Sequence, residues 1–495
     1  MKKSILPVFI GLSILFSNPI FGQTATEAFR LSASLAQGTA RNMGTGNSMF
    51  AIGPDFSAIA ANPSGIGGYW KSEFLFSTAV SLQSYSAKLS GDSSREITDQ
   101  FSHLRLPNLG FVIVNRYRNS NWISSNWAVG FNRMSDYNKE IIFQGNTLGS
   151  ITDSWRENAT GVQPDDLNGF EEGLAYTSGA IYDFEEDNIY ETDYALNPQY
   201  RLYKQEDAVV EGGKSELFIG YGANLDQKLL IGMSVNLPLV NSSQTRTYEE
   251  FDGGDDGVEY FNNLTYTSSI NTTGYGLNAK LGVTVKPNKY FNIAFALHSP
   301  TKLFLTDNFN TTVTYDYTVG TENSRIKSES PFGSFEYALR TPWSATGGIG
   351  IIAGEYGFIG ASVKWTDYGS MKFDYSVRGN GDSYEQEERE VNADIRASYG
   401  SAIDLNLGGE VVADQFRFRA GVMLSQSAFN NDDSFDPTYA GGIGYRGENF
   451  FVDLAYSLHK EDEGYLPYET IDAPQPLAIV KNTKHRIAAT VGLKF

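Results

Sequence analysis

The last ten residues read Arg486-Ile487-Ala488-Ala489-Thr490-Val491-Gly492-Leu493-Lys494-Phe495. Ile487, Ala489, Val491, Leu493 and Phe495 share one parity; Arg486, Ala488, Thr490, Gly492 and Lys494 share the other. A period of two places each set on its own face of a β-strand. One face is apolar, as lipid requires, and the other is small or polar, as a wet lumen requires. The pattern recurs upstream. Phe450, Val452, Leu454, Tyr456 and Leu458 alternate with Phe451, Asp453, Ala455, Ser457 and His459. Phe416, Phe418, Ala420, Val422 and Leu424 alternate with Gln415, Arg417, Arg419, Gly421 and Met423, and Phe291, Ile293, Phe295 and Leu297 with Asn292, Ala294, Ala296 and His298.

Extended over the chain, this reading predicts strands at 71–88, 104–117, 122–144, 215–225, 228–247, 264–286, 290–316, 334–353, 356–378, 392–412, 415–429, 437–446, 449–459 and 484–495, fourteen in all. Short connections (118–121, 226–227, 287–289, 354–355, 413–414, 447–448) alternate with long ones (89–103, 145–214, 248–263, 317–333, 379–391, 430–436, 460–483). Short periplasmic turns and long outer loops are the rhythm of an outer-membrane barrel, and an even count puts both termini on the periplasmic side. The expected fold is all-β: a transmembrane antiparallel β-barrel over residues 69–495.

The beginning of the chain agrees. Lys2 and Lys3 precede an apolar run from Ile5 to Phe16, and Pro19 and Gly22 precede Gln23, which reads as a secretory signal peptide over 1–22. The run is too short for a spanning helix, and its removal takes the net charge from −20 to −22. No later segment is apolar enough for a membrane helix, so a membrane reading requires a closed barrel. Composition excludes other classes. The 495 residues contain no Cys, hence no disulfide, thiolate metal site or cysteine nucleophile. The four His are scattered without metal-ligand spacing, and no metal or cofactor is expected. A pI near 4.7 argues against nucleic acid as a partner. No Gly-x-Ser-x-Gly, His-Glu-x-x-His or Walker motif suggests an enzyme. The one Gly-x-Gly-x-x-Gly, Gly442 to Gly447, lies between strands without the helix that a dinucleotide site needs.

Two stretches fall outside the strands. Residues 145–214 hold fifteen acids and four bases and are expected to fold over the outer mouth. Asp252, Asp255 and Asp256, and Asp432, Asp433 and Asp436, add further acid. Solvated loops account for this charge, with divalent-ion bridging to lipopolysaccharide as the functional alternative; neither cluster has calcium-loop spacing. Residues 23–68 carry Phe29, Leu31, Leu35, Met43, Met49, Phe50, Ile52, Phe56 and Ile59, which need burial, so this segment is expected to plug the lumen as a hatch.

The hatch also carries a resemblance. Gly38-Thr39-Ala40-Arg41, Met43-Gly44, Asp55-Phe56-Ser57-Ala58 and Asn62-Pro63-Ser64-Gly65 occur in order over 36–70. The set resembles the N-terminal hatch of the FadL/TodX family of outer-membrane hydrophobic-compound transporters, with Ser64 where that family usually has Ala. The resemblance is strong in the hatch, moderate in the last strand, and elsewhere rests on strand rhythm. It implies a fourteen-stranded plugged barrel that passes long-chain fatty acids or aromatic hydrocarbons, often sideways near a kinked third strand. It also implies surrounding outer-membrane lipid and lipopolysaccharide, and a C-terminal signal at Phe495 for the barrel assembly machinery.

The residues themselves suggest roles for such a site. Pro63 fixes φ and biases Asn62 to an extended shape. With Ser64 and Gly65 it turns hatch into wall, and Gly44 and Gly46 could act as hinges of a gate. A carboxylate ligand would want a cation beside an apolar pocket; the candidates are Arg41, Lys364, Arg417 and Arg419. The alternative is that inward cations pair with inward acids such as Asp404 and Glu410. A general porin, or an adhesin or receptor barrel using the acidic loops, are the rival readings of the whole.

Overall fold

The structure, a computed structural model, describes residues 23–34, 38–90, 96–253, 257–377 and 384–495. The signal segment, Leu35, Asp255 and Asp256 lie outside them.

The wall is a ring of fourteen antiparallel strands. These are β1 (Glu73–Leu89), β2 (Ile97–Arg116), β3 (Trp122–Asp136, continued by Lys139–Thr147), β4 (Leu202–Leu225), β5 (Leu229–Phe251) and β6 (Phe261–Val285). Then follow β7 (Phe291–His298, continued by Lys302–Val319), β8 (Gly333–Arg340 and Ser344–Ile352), β9 (Gly357–Asp367 and Lys372–Asp374) and β10 (Ser401–Ala413). The ring ends with β11 (Phe416–Gln426), β12 (Phe435–Arg446), β13 (Phe450–Tyr465) and β14 (Ala478–Lys494). Each pairs with its chain neighbour, and β1 pairs with β14 from Glu73↔Lys494 to Leu89↔Ala478, which closes the barrel and abolishes its edges. The interruptions in β7 and β8 fall at Pro300 and Pro342, which cannot donate to a ladder.

The alternation sorts the faces as the sequence led us to expect. Phe74, Phe76, Val80 and Leu82 of β1 and Ile487, Val491 and Leu493 of β14 are exposed on the outside, while Ser77, Ser81, Ala488 and Thr490 are buried inside. At the short-turn end, Trp70, Trp122, Tyr290, Tyr356, Phe450 and Phe495 are exposed and form an aromatic girdle at the membrane interface. Phe495 ends β14 against the wall: its N–H donates to Ser72 O at 3.0 Å, and its ring centroid lies 5.8 Å from that of Phe111. Between β4 and β5, Asp226 and Gln227 both have positive φ (52° and 57°), the mirror-image turn whose twist suits a two-residue hairpin.

The strands reach further outward than their alternation indicated. β2 begins at Ile97, β3 runs on to Thr147, and β4 begins at Leu202, so the irregular part of the long connection is 148–201 rather than 145–214. A hairpin, Glu322–Glu329, prolongs β7 within the expected loop 317–333. One stretch changes type. Residues 392–398, expected in a strand, belong to the helix Glu385–Ser398, in which Val391, Asn392 and Ile395 are buried at helical spacing and Asn392 bonds both backbone groups of Phe373 (2.8 and 3.0 Å).

The interior is filled at two levels. In the outer part, α4 (Ile151–Ala159) and α5 (Glu172–Ser178) of the long connection bury Trp155, Leu174, Ala175, Tyr190 and Tyr194 against Phe143, Tyr248, Tyr266 and Tyr315 of the strands. In the inner part lies the hatch: α1 (Ala25–Ser32), α2 (Ala40–Gly44), a 3-10 turn (Ser48–Ala51), α3 (Phe56–Ala61) and a second 3-10 turn (Pro63–Gly68). Leu31, Met43, Met49, Phe50, Phe56 and Ile59 are buried there, as expected of a plug, while Phe29 and Ile52 are half-buried.

Candidate functional site

The hatch is knit by the residues that carried its resemblance. Thr39 caps α2 by accepting from Asn42 N (3.1 Å) and donates its hydroxyl to Asp55 (2.7 Å). Asp55 caps α3, accepting from Ser57 N (3.0 Å) and Ala58 N (3.2 Å). Gly38 lies so close that a Cβ would stand 2.4 Å from Ser57 Oγ. Asn62 is extended (φ −141°, ψ 97°), as a residue before proline should be, and caps the following turn. Its Oδ1 accepts from Ser64 N and Oγ (3.1 and 2.7 Å), and its Nδ2 donates to Phe50 O (3.0 Å) and Thr284 Oγ1 (3.2 Å). The Ser64 hydroxyl, the departure from the family pattern, reaches Thr284 Oγ1 of β6 at 2.7 Å and so fastens the turn to the wall.

The seam between hatch and wall runs along rows of glycine. Gly350, Gly360, Gly408 and Gly421 stand side by side across β8 to β11. A Cβ at Gly360 would lie 2.2 Å from Ser48 O, and one at Gly408 2.1 Å from Thr45 O, so the hatch backbone rests directly on the wall backbone. Gly222 does the same beneath Ile66 and Gly67, Gly232 beneath Pro63 and Gly282 beneath Asn62. Polar side chains pin what remains: Asn292 donates to Ala51 O (2.8 Å), Asn126 to Ile66 O (2.7 Å), and Thr490 accepts from Ala40 N (2.8 Å). The Lys214 ammonium donates to the carbonyls of Leu31, Ser32 and Ala33 (2.8 to 3.2 Å), closing the C-terminal end of α1.

The candidate cations are placed as follows. Arg41 makes a two-pronged contact to Glu410 (3.1 and 3.1 Å), and Arg419 reaches the same carboxylate at 2.6 Å and Asp453 at 2.7 Å. Arg446 completes the chain at Asp453 (2.8 Å). This network joins the hatch to β10, β11, β12 and β13. Lys364 lies 3.4 Å from Asp404. Arg417 sits at the β10–β11 turn and donates to the carbonyls of Asp414 and Phe416 (2.7 and 2.8 Å). The four cations are thus not gathered around one space. Of the proposed hinges, Gly46 has φ +62°, and a Cβ there would lie 2.7 Å from Val422 N; Gly44 packs on Gly442. Gly65 has no close neighbour under 3.8 Å.

Two features of the wall bear on passage. A cavity of about 500 Å³ opens between β5 and β8, lined by Leu239, Val240, Tyr275, Phe304, Leu305 and Tyr337. Leu239 and Tyr275 are outward while Val240, Leu305 and Tyr337 are buried, and the strands stay paired around it, Leu239↔Tyr275, Tyr275↔Phe304 and Leu305↔Tyr337. Beside it, the β5–β6 ladder skips from Asn236↔Asn278 to Leu239↔Tyr275, across Pro238. The larger interruption is between β2 and β3. Their ladder runs only from Arg116↔Ser124 to Asn108↔Asn132. Beyond that row, residues 97–105 pair with β1 alone among the described residues, whereas the outer part of β3 pairs with β4. The ladder irregularities nearby, at Ser77/Ala79 and at Arg133/Ser135, let the two strands diverge. Just below the gap, the tip of the Phe56 ring of the hatch reaches Gly110 and Gly130, where a Cβ would come within 1.8 and 2.4 Å of it.

At the outer level, burial raises the Asp153 carboxyl to about 6 despite Arg156 at 3.7 Å. Burial, reinforced by neighbouring Glu172, raises Glu171 to about 7.

Fold and site together define a plugged transmembrane β-barrel, with an apolar outer face and one wall seam left unlaced beside the plug. Among solved structures, a FadL homologue from Pseudomonas aeruginosa superposes with a TM-score of 0.54 at 13% identity, covering 94% of this chain and 100% of that one. The toluene transporter TodX of Pseudomonas putida gives a TM-score of 0.48 at 13% identity, covering 94% of this chain and 99% of that one. The first likeness establishes a shared fold. No protein-family model matches the chain, and no curated protein matches it.

Proposed function

We propose that this chain carries hydrophobic compounds, of the class of long-chain fatty acids or aromatic hydrocarbons, across the bacterial outer membrane, with sideways release at the β2–β3 gap. The observation that supports this most is the combination of a sealed lower lumen with a divided wall directly above Phe56. A general porin needs an open lumen, and the hatch occupies it. A hydrophobic solute gains little from a water-filled exit but can leave a wall gap straight into the bilayer. The shared fold with a FadL homologue points the same way. In this reading Gly44, Gly46 and the Asn62–Gly65 turn let the hatch shift, outer-membrane lipid and lipopolysaccharide surround the barrel, and Phe495 serves the barrel assembly machinery.

The test is uptake of labelled palmitate and of toluene by cells expressing the wild type, Pro63→Ala or Gly44→Val, normalised to folded protein in the outer membrane. Both substitutions should lower uptake, the first by freeing φ, the second by forcing a branched side chain against Gly442. Cells lacking the protein that import every compound at the wild-type rate would overturn the proposal. Deleting Phe495 should reduce the amount of heat-modifiable barrel in the membrane.

A further inference from the structure

Where β7 and β8 break, the outer face of the wall turns from apolar to basic. The break in β7 before Lys302 and the break in β8 after Arg340 lie side by side, with Thr341 N donating to Thr301 O at 3.0 Å and Thr301 N to Thr341 Oγ1 at 2.9 Å. On the far side of these breaks the register sets Leu277 of β6, Lys302 of β7, Arg340 of β8 and Lys372 of β9 in one row. All four are exposed on the outside, while their chain neighbours Leu303, Leu339 and Phe373 are buried inside. From Leu277 down β6 to the short turn at Lys286 is about nine residues, hence about 23 Å of height for a strand rising ~3.3 Å per residue at a tilt of ~40°. The lipid-facing band of a barrel is about 25 Å tall, so these cations stand at its outer boundary. Below them the face is apolar. Leu281, Leu297 and Trp365 share a row through Ala345 and are exposed, and Trp343 is exposed just beyond Arg340 in the chain.

The charges of this row are loosely held. Lys302 lies 3.3 Å from Asp374, and Lys372 lies 3.8 Å from Glu388 of the helix Glu385–Ser398. Partly exposed pairs of this kind contribute little and exchange readily for another anion. Arg340 makes no ion pair among the described residues. A second observation lies beyond the row, away from the short turns: the cavity of about 500 Å³ between β5 and β8 opens on this same face. Because the strands around it stay paired, its outward lining is side chain, namely Leu239, Tyr275, Phe304, Thr306 and Glu336. The Tyr275 and Phe304 ring centroids are 5.7 Å apart, and Lys302 Nζ stands 5.5 Å over the Phe304 ring. A tilted aromatic pair beside a hydroxyl and a carboxylate suits a sugar ring, whose C–H face packs on the aromatics while its hydroxyls meet the polar groups.

We infer that Lys302, Arg340 and Lys372 bind the phosphates of the lipid A portion of lipopolysaccharide, with one of its glucosamine rings in the Tyr275–Phe304 cavity and its acyl chains along Leu277, Leu281, Leu297 and Trp365. The three parts of the site come in the order in which lipid A presents its own: acyl chains in the bilayer, then phosphates and sugars at the boundary. The Arg340 fork matches a phosphate in two-pronged fashion, and the two ammonium groups add point charges on either side of it. A phospholipid offers phosphate and chains but no sugar ring for the cavity. The inference needs the barrel to stand in the outer membrane and is independent of what the barrel carries.

The experiment measures equilibrium binding of lipid A, and of lipid A stripped of its phosphates, to the folded full-length barrel in phosphatidylcholine nanodiscs. The wild type should bind the phosphorylated form about tenfold or more tighter. Lys302→Gln/Arg340→Gln/Lys372→Gln should abolish that preference and leave the affinity for the stripped form unchanged. Phe304→Ala should weaken both forms together. Lys88→Gln/Lys481→Gln removes exposed charge from β1 and β14 instead and should change neither. If the triple variant does not show the heat-modifiable folded form, Arg340→Gln alone should still weaken the phosphorylated form selectively. A folded triple variant that keeps the preference, a Phe304→Ala variant that binds both forms as the wild type does, or a β1–β14 variant that loses the preference equally overturns the inference. So does phosphatidylglycerol that displaces lipid A from the wild type at equal concentration, the mark of a general phospholipid site. Palmitate and toluene uptake by the triple variant should match the wild type. A wild type that binds lipid A with the expected preference but imports neither compound faster than cells lacking it overturns only the transporter reading.

Discussion

The two sides of the barrel treat the hatch differently. From β8 to β13 the hatch backbone lies on a glycine row, and Arg41 is held in a continuous ion network through Glu410, Arg419, Asp453 and Arg446. From β1 to β3 the hatch meets the wall through the Phe56 ring on Gly110 and Gly130 and through hydrogen bonds from Asn126 to Ile66 O and from Ser135 to Ala33 O, with no such ion network, and above Phe56 the wall divides. One side anchors and the other is left free to move. A plug fixed on one flank can yield on the other without leaving the lumen.

The largest effect should come from the anchored flank. Glu410→Ala leaves Arg41 and Arg419 facing each other without their carboxylate, and breaking a buried pair in this way costs about 3–5 kcal/mol. The expected outcome is a marked drop in the temperature at which the heat-modifiable band converts, with bursts of conductance in planar bilayers. Arg417→Gln, by contrast, touches only turn carbonyls and should stay within about 0.5 kcal/mol of the wild type. Equal effects of the two would erase the distinction between anchored and free cations.

On the other flank, Gly110→Val places a branched side chain where Phe56 lies, and overpacking of this kind costs about 1–3 kcal/mol. Its signature should be local. Protease access to the hatch should rise while the β1–β14 closure survives, read as folded gel mobility with cleavage before residue 69.

A smaller change is expected from Asn62→Ala, which removes the cap on Ser64 N and the donor to Phe50 O while the Ser64 and Thr284 hydroxyls keep each other; losing such a cap costs about 1 kcal/mol. The substitution should sharpen the comparison by loosening the hatch between its two flanks. Hydrogen exchange at Ser64 and Ile66 should rise before that at Ala58.

The mildest expected effect lies in the outer level. Asp153 and Glu171 have folded pKa values of about 6 and about 7, raised by burial above those of free carboxyls. The folded form therefore holds protons that the unfolded form has released. Stability from these groups is full below the unfolded pKa and is lost as pH rises through 6 to 7. Limited proteolysis of 148–201 should accordingly be slower at pH 5 than at pH 8, with no change in the hatch.

Much of this architecture is legible in the chain because a barrel strand writes its two faces in alternate letters. Phe450 to Leu458 and Ile487 to Phe495 need only parity to be placed. Strand ends were less legible: Tyr203 to Gly213 of β4 lies beyond the lipid, where both faces are polar and alternation fades. The helix Glu385–Ser398 was hidden because its apolar residues, Val391 and Ile395, are too few to mark a period. The site divides in the same way. The hatch motif stood out because its partners are local, Thr39 to Asp55 and Asn62 to Ser64. Arg41, Arg419 and Glu410 were visible as inward charges, but their mutual pairing needed the register.

The bond from Ala40 N to Thr490 has a consequence for how the molecule is made. It joins residues 450 positions apart, near the two ends of the described residues. The hatch touches wall strands from β2 through β14, so its seat does not exist until the ring is shut. Long-range contacts of this kind form late. The hatch is thus synthesised first and seated last. Because the glycine rows leave its footprint empty of side chains, it acts as a gauge of the finished circumference. A ring closed one strand short or out of register would present the wrong row to Thr45 and Ser48 and could not accept it.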